Sequence, residues 1–239
     1  MSDSLVLGLT IGLALGWFYG VKRLPPTAQL ASALGIGTKS AKRSTNSPSP
    51  KQENLKLTRY KIFEQTIPRA DIVFLGDSLT HRGNFNEFFD INKRIYNRGI
   101  SGDTSFDVYQ RLNEVQRLKP SHVFLMIGIN DLYNHDTSPE EVIKNIKKIN
   151  AELKANGSTV YIQEIIQCEP SLCQETSKEV ELANQLLRST FPSESIIPLG
   201  ELSQAKGLAS IYTDDGIHLN ANGYQLWIEK LKPYISRIS

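Results

Sequence analysis

The sequence predicts an α/β fold in which helices cover both faces of a parallel sheet. Short apolar runs alternate with longer amphipathic segments along residues 55–239, as is typical of repeated strand–helix units. The predicted strands are 71–75, 94–97, 122–127, 159–163 and 195–199. The predicted helices are 58–66, 104–118, 139–155, 175–190 and 221–235.

Local signals justify these elements in order. The run at 72–75 (IVFL) is continuously apolar, as expected of a strand that is buried on both faces of a parallel sheet. The helix 139–155 has the clearest start, because Ser138 and Glu141 form a capping box around Pro139 at the first helical position. Its apolar residues fall on one face, and it ends at an Asn-Gly pair that favours a helix stop.

The charge distribution argues against a nucleic-acid partner. The chain has 239 residues and a formal net charge of +2. Residues 22–54 carry six basic side chains and one acidic side chain, so the positive excess precedes the predicted domain, which is itself nearly neutral. A domain that binds nucleic acid would be expected to carry a basic face of its own.

Residues 5–21 contain no charged side chain and predict a transmembrane helix. As a helix this segment would span about 26 Å, close to the thickness of a hydrocarbon core of about 30 Å. Trp17, Phe18 and Tyr19 suit a membrane interface, and basic residues follow them. We therefore predict a retained anchor at residues 1–23, with a cleaved signal peptide as the alternative that remains open.

Two further predictions concern this anchor. Its glycines recur at every fourth position, which on a helix makes a stripe for self-association or for pairing with another membrane helix; they are Gly8, Gly12, Gly16 and Gly20. Positive residues follow the helix instead of preceding it, so the positive-inside rule places the following domain in the cytoplasm.

The chain is thereby divided into an anchor at 1–23, a flexible basic linker at 24–54 and a globular domain at 55–239. No Cys/His spacing resembles a zinc site. Cys168 and Cys173 either close a small disulfide loop or remain free thiols. A disulfide would indicate an oxidising compartment, which is the opposite of the cytoplasmic placement.

Four short fragments carry side chains suited to chemistry. The first three follow predicted strands, and ligands bind at the carboxyl ends of the strands in open α/β sheets. The fourth lies just before the last predicted helix. The fragments are Gly76-Asp77-Ser78-Leu79, residues 97–104 (NRGISGDT), Gly128-Ile129-Asn130-Asp131 and Asp215-Gly216-Ile217-His218.

These residue types match what acyl transfer by a serine requires. The Ser78 hydroxyl is a weak nucleophile and needs a base, for which His218 is the candidate. Asp215 can turn back to orient the imidazole and to stabilise its charged form. The Ser78 N–H, the Gly102 N–H and the Asn130 side-chain amide are the candidate donors of an oxyanion hole.

Each assignment has a structural alternative. Ser78 could be a turn serine at a strand end, and Asn130 could cap a loop. Gly99 is a rival to Gly102 in the second fragment. Asp215 and His218 could belong to a surface turn before a helix.

Three other histidines are weaker candidates. His81 is close to Ser78 in the sequence, but a residue three positions along the same turn is expected to point away from the crevice. His122 starts a strand and so lies at the opposite edge of the sheet. His135 follows the third fragment and could line a substrate cleft.

Across residues 71–235 the chain resembles the SGNH hydrolases, also called the GDSL esterase/lipase family, because all four fragments occur in the family's order. The resemblance implies a flavodoxin-like three-layer α/β/α fold with a five-stranded parallel sheet, and ester hydrolysis without a metal or an organic cofactor. It further implies that Ser78 is the nucleophile, that Gly102 and Asn130 serve the oxyanion hole, and that Asp215 and His218 complete the catalytic set.

The resemblance leaves the substrate open. Residues 99–105 (GISGDTS) are most similar to the lysophospholipase/thioesterase and platelet-activating-factor acetylhydrolase-like branches. The first expectation is a membrane-anchored serine esterase or lipase with a small-molecule ester substrate. A carbohydrate O-acetylesterase or an acyltransferase with the same site is the alternative, and a tethered scaffold whose site has decayed is a third.

Overall fold

A five-stranded parallel sheet organises the part of the chain that the computed structural model describes, namely residues 49–65, 69–134, 137–173, 176–204 and 207–238. The strand order is β2-β1-β3-β4-β5, the order of flavodoxin-like doubly wound folds. The strands are β1 (Ile72–Gly76), β2 (Ile95–Gly99), β3 (His122–Met126), β4 (Thr159–Gln163) and β5 (Ile196–Ile197). The predicted α/β fold with five parallel strands is therefore confirmed.

Ten α-helices surround or extend this sheet in the described residues. They are α1 (Pro50–Gln65), α2 (Ser78–His81), α3 (Phe85–Phe88), α4 (Ser105–Gln110), α5 (Leu112–Leu118), α6 (Ile129–Asn134), α7 (Pro139–Ala155), α8 (Pro170–Cys173), α9 (Ser177–Thr190) and α10 (Ala221–Ile235). Short 3-10 turns lie at Ser193–Ser195 and Ser210–Tyr212, and Ser203–Gln204 (β6) pairs antiparallel with Gly207–Leu208 (β7).

The sheet separates two apolar cores because successive side chains of a strand point to opposite faces. Val73 and Leu75 of β1 enter the core that is covered by α4, α5, α7 and α9. Ile72 and Phe74 enter the core that is covered by α2, α3 and α10. In the second core the buried Trp227 of α10 donates its indole N–H to Gln163 Oε1 at 2.6 Å, which fastens α10 to β4.

The element bounds differ from the predicted ones in informative places. Helix α1 begins at Pro50, eight residues before the predicted start, so residues 50–54 are helical although the sequence assigned them to the flexible linker. The predicted helix 104–118 is divided at Arg111, whose backbone leaves the helical region and whose side chain is buried among polar partners. The last strand shortens to Ile196–Ile197, and the short helix α6 follows β3 where none was predicted.

Several predictions fall outside the described residues. These are the transmembrane segment 5–21, its glycine stripe, most of the linker and His135. Within the described ranges, no helix combines the length and the apolar character that crossing a bilayer requires. Of the two alternatives for the cysteines, the structure contains the disulfide, between Cys168 and Cys173.

Candidate active site

The Ser78 hydroxyl lies at the carboxyl end of the sheet because β1 stops at Gly76 and α2 starts at Ser78. Asp77 makes this sharp change of direction possible, since its Oδ1 caps α2 by accepting the Leu79 N–H at 3.0 Å. The Asp77 side chain is fully buried, and this burial raises its pKa to about 7. Tyr224 of α10 supports the same short helix by donating its hydroxyl to the Leu79 carbonyl at 2.7 Å.

Ser78, His218 and Asp215 form one continuous hydrogen-bonded chain. His218 Nε2 lies 3.1 Å from Ser78 Oγ, although the two residues are 140 positions apart in the sequence. His218 Nδ1 lies 2.7 Å from Asp215 Oδ2. In this arrangement the carboxylate holds the Nδ1–H tautomer, so the unprotonated Nε2 faces the serine hydroxyl.

The turn that carries Asp215 and His218 is held by its own hydrogen bonds. Asp215 Oδ1 accepts the backbone N–H groups of Ile217 at 2.9 Å and His218 at 2.7 Å. Gly216 has φ +77°, a conformation that glycine adopts without strain, and its N–H donates to Thr213 Oγ1 at 2.8 Å. These contacts hold the Asp215 carboxylate against the His218 ring, whose Nε2 faces Ser78.

The carboxylate of Asp215 stays ionised over the whole physiological range. Desolvation alone would raise its pKa, but the hydrogen bonds from the His218 backbone, the His218 ring and the Ile217 backbone outweigh this effect. The pKa of Asp215 therefore falls well below its usual range. Arg82 Nη1, at 3.7 Å from Oδ2, adds a further positive charge on the solvent side.

The second and third fragments leave the same edge of the sheet beside Ser78. Gly76 of β1 is in register with Gly99 of β2 and with Met126 of β3, so the segments that follow these strands emerge side by side. Gly102 follows three residues after the end of β2, and Asn130 lies in the first turn of α6.

Asn130 and the second fragment are joined directly. Asn130 Nδ2 donates to the Asp103 carbonyl oxygen at 2.9 Å, which fixes its amide beside the loop that contains Gly102. Gly102 has φ +80°, and this left-handed conformation favours glycine at the position where the loop turns. The candidate nucleophile and the candidate oxyanion donors thus lie on adjoining segments at one edge of the sheet.

This arrangement agrees with the comparison to known protein families. A family model described as the GDSL-like lipase/acylhydrolase family matches residues 74–226, which include Ser78, Gly102, Asn130, Asp215 and His218. The chain belongs to the GDSL-like lipase/acylhydrolase family. Membership makes it an ester hydrolase.

Solved structures show the same fold. The chain is similar to a candidate platelet activating factor from Streptococcus pneumonia, with 24% identity, a TM-score of 0.64 and coverage of 77% of this chain and 92% of that one. A GDSL-like lipase from Bacteroides thetaiotaomicron has 22% identity and a TM-score of 0.65 over 76% of this chain and 98% of its own. A carbohydrate esterase family 3 protein from Talaromyces cellulolyticus has 19% identity and a TM-score of 0.57, with coverage of 71% and 97%.

One curated protein is similar in sequence over part of its length. It is an N-acylneuraminate cytidylyltransferase from Escherichia coli O18:K1:H7 (strain RS218 / NMEC), 27% identical over 164 residues. The match covers 65% of this chain but only 38% of that protein.

Two other histidines in the described residues have hydrogen-bond partners other than Ser78. His81 Nδ1 lies 2.8 Å from Ser101 Oγ, and burial together with the charges of Arg59 and Arg82 lowers the pKa of His81 to about 4. His122 begins β3, at the amino edge of the sheet, and its ring contacts Ser121 Oγ at 2.9 Å.

A buried ionic network includes Arg98 and Asp103 of the second fragment. Arg111 donates to Asp103 Oδ2 at 2.7 Å, to Glu114 Oε1 at 3.0 Å and to the Arg98 carbonyl at 2.8 Å. Arg98 donates in turn to Glu114 Oε2 at 3.1 Å. Because buried charges are stable only when they are paired, this network makes the position of Asp103 costly to change.

Asn97 is a supporting residue that sequence reasoning did not single out. Its side-chain amide donates to the carbonyl oxygens of Thr80 at 2.6 Å and Gly83 at 2.7 Å, and its Oδ1 accepts the Gly99 N–H at 2.8 Å. Asn97 therefore ties the segment after Ser78 to the end of β2. The available signal was its position as the first residue of the second fragment.

Proposed function

We propose that the protein is a serine esterase that hydrolyses carboxylic esters through an acyl-enzyme on Ser78. The observation that carries this proposal is the hydrogen-bonded chain from Ser78 Oγ through His218 to Asp215. A serine, a base and an oriented carboxylate in this order are the parts that covalent acyl transfer requires.

The proposed reaction proceeds in two halves. Ser78 Oγ attacks the ester carbonyl carbon while His218 Nε2 takes the hydroxyl proton, and the resulting oxyanion is bound by the Ser78 and Gly102 N–H groups and the Asn130 amide. Collapse of this intermediate breaks the ester C–O bond, and His218 returns the proton to the departing alcohol. Water then attacks the acyl-serine with the same base, and the carboxylic acid leaves as Ser78 regains its proton.

Replacement of the nucleophile tests this proposal. We expect Ser78→Ala to abolish hydrolysis of p-nitrophenyl acetate and covalent labelling by a fluorophosphonate probe, because no other hydroxyl contacts His218 Nε2 in the described residues. Ser189→Ala, which removes an exposed hydroxyl from α9, is the matched control and should retain both. Turnover by Ser78→Ala would refute the assignment, and a wild-type protein that neither reacts nor is labelled would revive the scaffold alternative.

A carbohydrate O-acetylesterase is the second candidate, and a cavity whose walls combine an aromatic ring with carboxylate and amide groups favours it. The cavity, of about 360 Å³, lies between the first turns of α4 and α7, and Phe106, Asp107, Glu141 and Asn145 contribute to its walls. Phe106 is 56% exposed, so its ring can meet the apolar face of a sugar while carboxylate and amide groups bind hydroxyls. An acyltransferase that passes the acyl group to a sugar hydroxyl would use the same site.

A substrate series separates these candidates. The specificity constant kcat/KM should be measured for p-nitrophenyl esters of increasing acyl length and for peracetylated glucose. A preference for long chains supports a lipid-derived substrate, whereas a preference for the acetylated sugar supports the second candidate. Phe106→Ala should then lower activity on the sugar while sparing p-nitrophenyl acetate.

Membrane attachment is a separate part of the proposal. Residues 5–21 would anchor the chain as a single-pass protein, and the positive residues after them support a cytoplasmic domain. The disulfide between Cys168 and Cys173 supports the opposite side, because disulfides persist in oxidising compartments. Protease treatment of sealed vesicles distinguishes the two placements. Protection of the C-terminal domain in inside-out vesicles would refute the cytoplasmic placement.

A further inference from the structure

Helix α1 is joined to the domain by polar contacts much more than by apolar packing. Of its residues only Phe63 is buried, whereas Leu55, Leu57 and Ile62 are exposed. The helix also lies outside residues 74–226, the part of the chain that the family model matches. Completion of the apolar core therefore does not explain why α1 packs against the domain.

Two cations of α1 hold the backbone of the second fragment. Lys56 Nζ donates to the Gly102 carbonyl oxygen at 2.6 Å, across 46 positions of sequence. Arg59 Nε donates to the Gly99 carbonyl oxygen at 2.7 Å. The two contacts hold the first and the last residue of the loop 99–102.

The Lys56 contact is held in place by further charges. Lys56 Nζ lies 3.2 Å from Asp107 Oδ2 and 3.4 Å from Asp103 Oδ1, and its side chain is only 22% exposed. A charge-assisted hydrogen bond in such a partly buried setting is stronger than one between neutral groups. The ammonium group is thus fixed from three sides, one of which is the Gly102 carbonyl.

The Arg59 contact is supported in a different way. Phe63, one turn further along α1, lies under the Arg98 guanidinium at 4.4 Å and under that of Arg59 at 5.0 Å. Both distances are within the range of a cation–π contact. The stack aligns α1 with the end of β2, from which the loop 99–102 departs.

We propose that Lys56 and Arg59 are positioning residues that keep the Gly102 amide oriented for the oxyanion. This inference rests on the proposed function. Glycine has wider backbone freedom than any other residue type. The Gly102 N–H therefore keeps one direction only if the neighbouring peptide groups are held. Donors of an oxyanion hole act through being placed before the reaction begins, which makes such a hold directly useful.

The decisive variant is Lys56→Met in the full-length chain. We expect kcat for p-nitrophenyl acetate to fall by about 10- to 100-fold, less than the loss of a whole oxyanion donor. KM should change little, because the oxyanion exists only in the transition state and the intermediate. Lys56→Arg should recover most of the activity, since a guanidinium can still donate to the Gly102 carbonyl.

Matched controls separate positioning from general stability. Lys61→Met removes an exposed lysine from the same helix and should leave kcat and the unfolding midpoint unchanged. Arg59→Gln, which loosens the other end of the loop, should lower kcat in the same direction as Lys56→Met. Because α1 contributes one side chain to the core, we expect all of these variants to fold, and circular dichroism checks this.

The outcomes distinguish this inference from the proposed function. Wild-type kcat in both Lys56→Met and Arg59→Gln would overturn the positioning role while the esterase assignment stands. An equal fall of kcat in Lys61→Met would also overturn it, because the effect would then belong to the helix as a whole. A wild-type chain without esterase activity or probe labelling would instead overturn the proposed function itself.

Discussion

Exchange of the Asp215 carboxylate for an amide is the sharpest test of the proposed base. In Asp215→Asn the side-chain oxygen can still accept the Ile217 and His218 backbone N–H groups, which Asp215 binds at 2.9 and 2.7 Å. The amide NH₂ then faces His218 Nδ1, where the carboxylate oxygen lay 2.7 Å away. The local turn is thereby preserved while the donor and acceptor roles at the imidazole are reversed.

The reversal removes the base from Ser78. An imidazole that accepts at Nδ1 carries its proton on Nε2, and Nε2 is the atom 3.1 Å from Ser78 Oγ. A protonated Nε2 cannot take the serine proton, and the carboxylate that stabilised the imidazolium is also absent. We expect kcat to fall by about 10⁴-fold, which corresponds to about 5 kcal/mol of transition-state stabilisation.

The assay measures kcat and KM for p-nitrophenyl acetate together with thermal unfolding. KM and the unfolding midpoint should stay close to those of the wild type, because the backbone hydrogen bonds of the turn remain. Asp214→Asn is the matched control, since the neighbouring carboxylate contacts only Asn220 among the hydrogen bonds seen in the described residues. If Asp215→Asn kept more than about a tenth of wild-type kcat, the tautomer argument would be refuted.

Three further predictions concern stability. Arg111→Met should lower the free energy of unfolding by about 3–5 kcal/mol in urea denaturation, because the buried carboxylates of Asp103 and Glu114 each lose one of their two cationic partners; a loss below about 1 kcal/mol would contradict the network. The pKa of Asp77 is raised to about 7, so the folded state binds its proton more tightly than the unfolded state, and stability is lost as pH rises from about 4 to 7. The Asp77→Asn variant should lack this loss of stability, and at pH 8 it should be more stable than the wild type by a few kcal/mol. Parallel pH profiles of the unfolding free energy for the two proteins would contradict this prediction. Replacement of both Cys168 and Cys173 by serine should cost about 2 kcal/mol of unfolding free energy, and a tris(2-carboxyethyl)phosphine-treated wild type should match the double variant.

Local patterns were sufficient for the strands and for the candidate residues. Apolar runs bounded by Gly, Asn and Asp place β1 to β4 within two residues, because a strand buried on both faces leaves a continuous local signal. Helix α7 begins at Pro139 and ends at Ala155, as its capping box and stop signal predict. The bounds of such elements depend on neighbours in the sequence, which a single sequence displays.

These local patterns did not predict contacts between segments that are distant in the sequence. The break at Arg111 arises because its side chain turns inward to Asp103, Glu114 and backbone carbonyls, and helical periodicity alone carries no sign of that. Lys56 precedes the first predicted helix and had no predicted role, yet its ammonium group lies against the Gly102 carbonyl. Asn97 likewise acquires its role only when the end of β2 meets the segment that follows Ser78.

By itself the sequence determined the α/β fold class, the strands and the set of side chains suited to ester chemistry, because each of these is encoded by residues close together in the chain. The tertiary structure alone decided that His218 Nε2 comes within 3.1 Å of Ser78 Oγ, and that helix α1, which precedes the residues of the family match, contacts the loop 99–102. The physical reason is that parallel strands in register bring the segments after β1, β2 and β3 to one edge, while α1 and the turn at Asp215 reach that edge from the two ends of the domain. Hydrogen-bond geometry at this edge depends on residues up to 145 positions apart, and no local pattern specifies it.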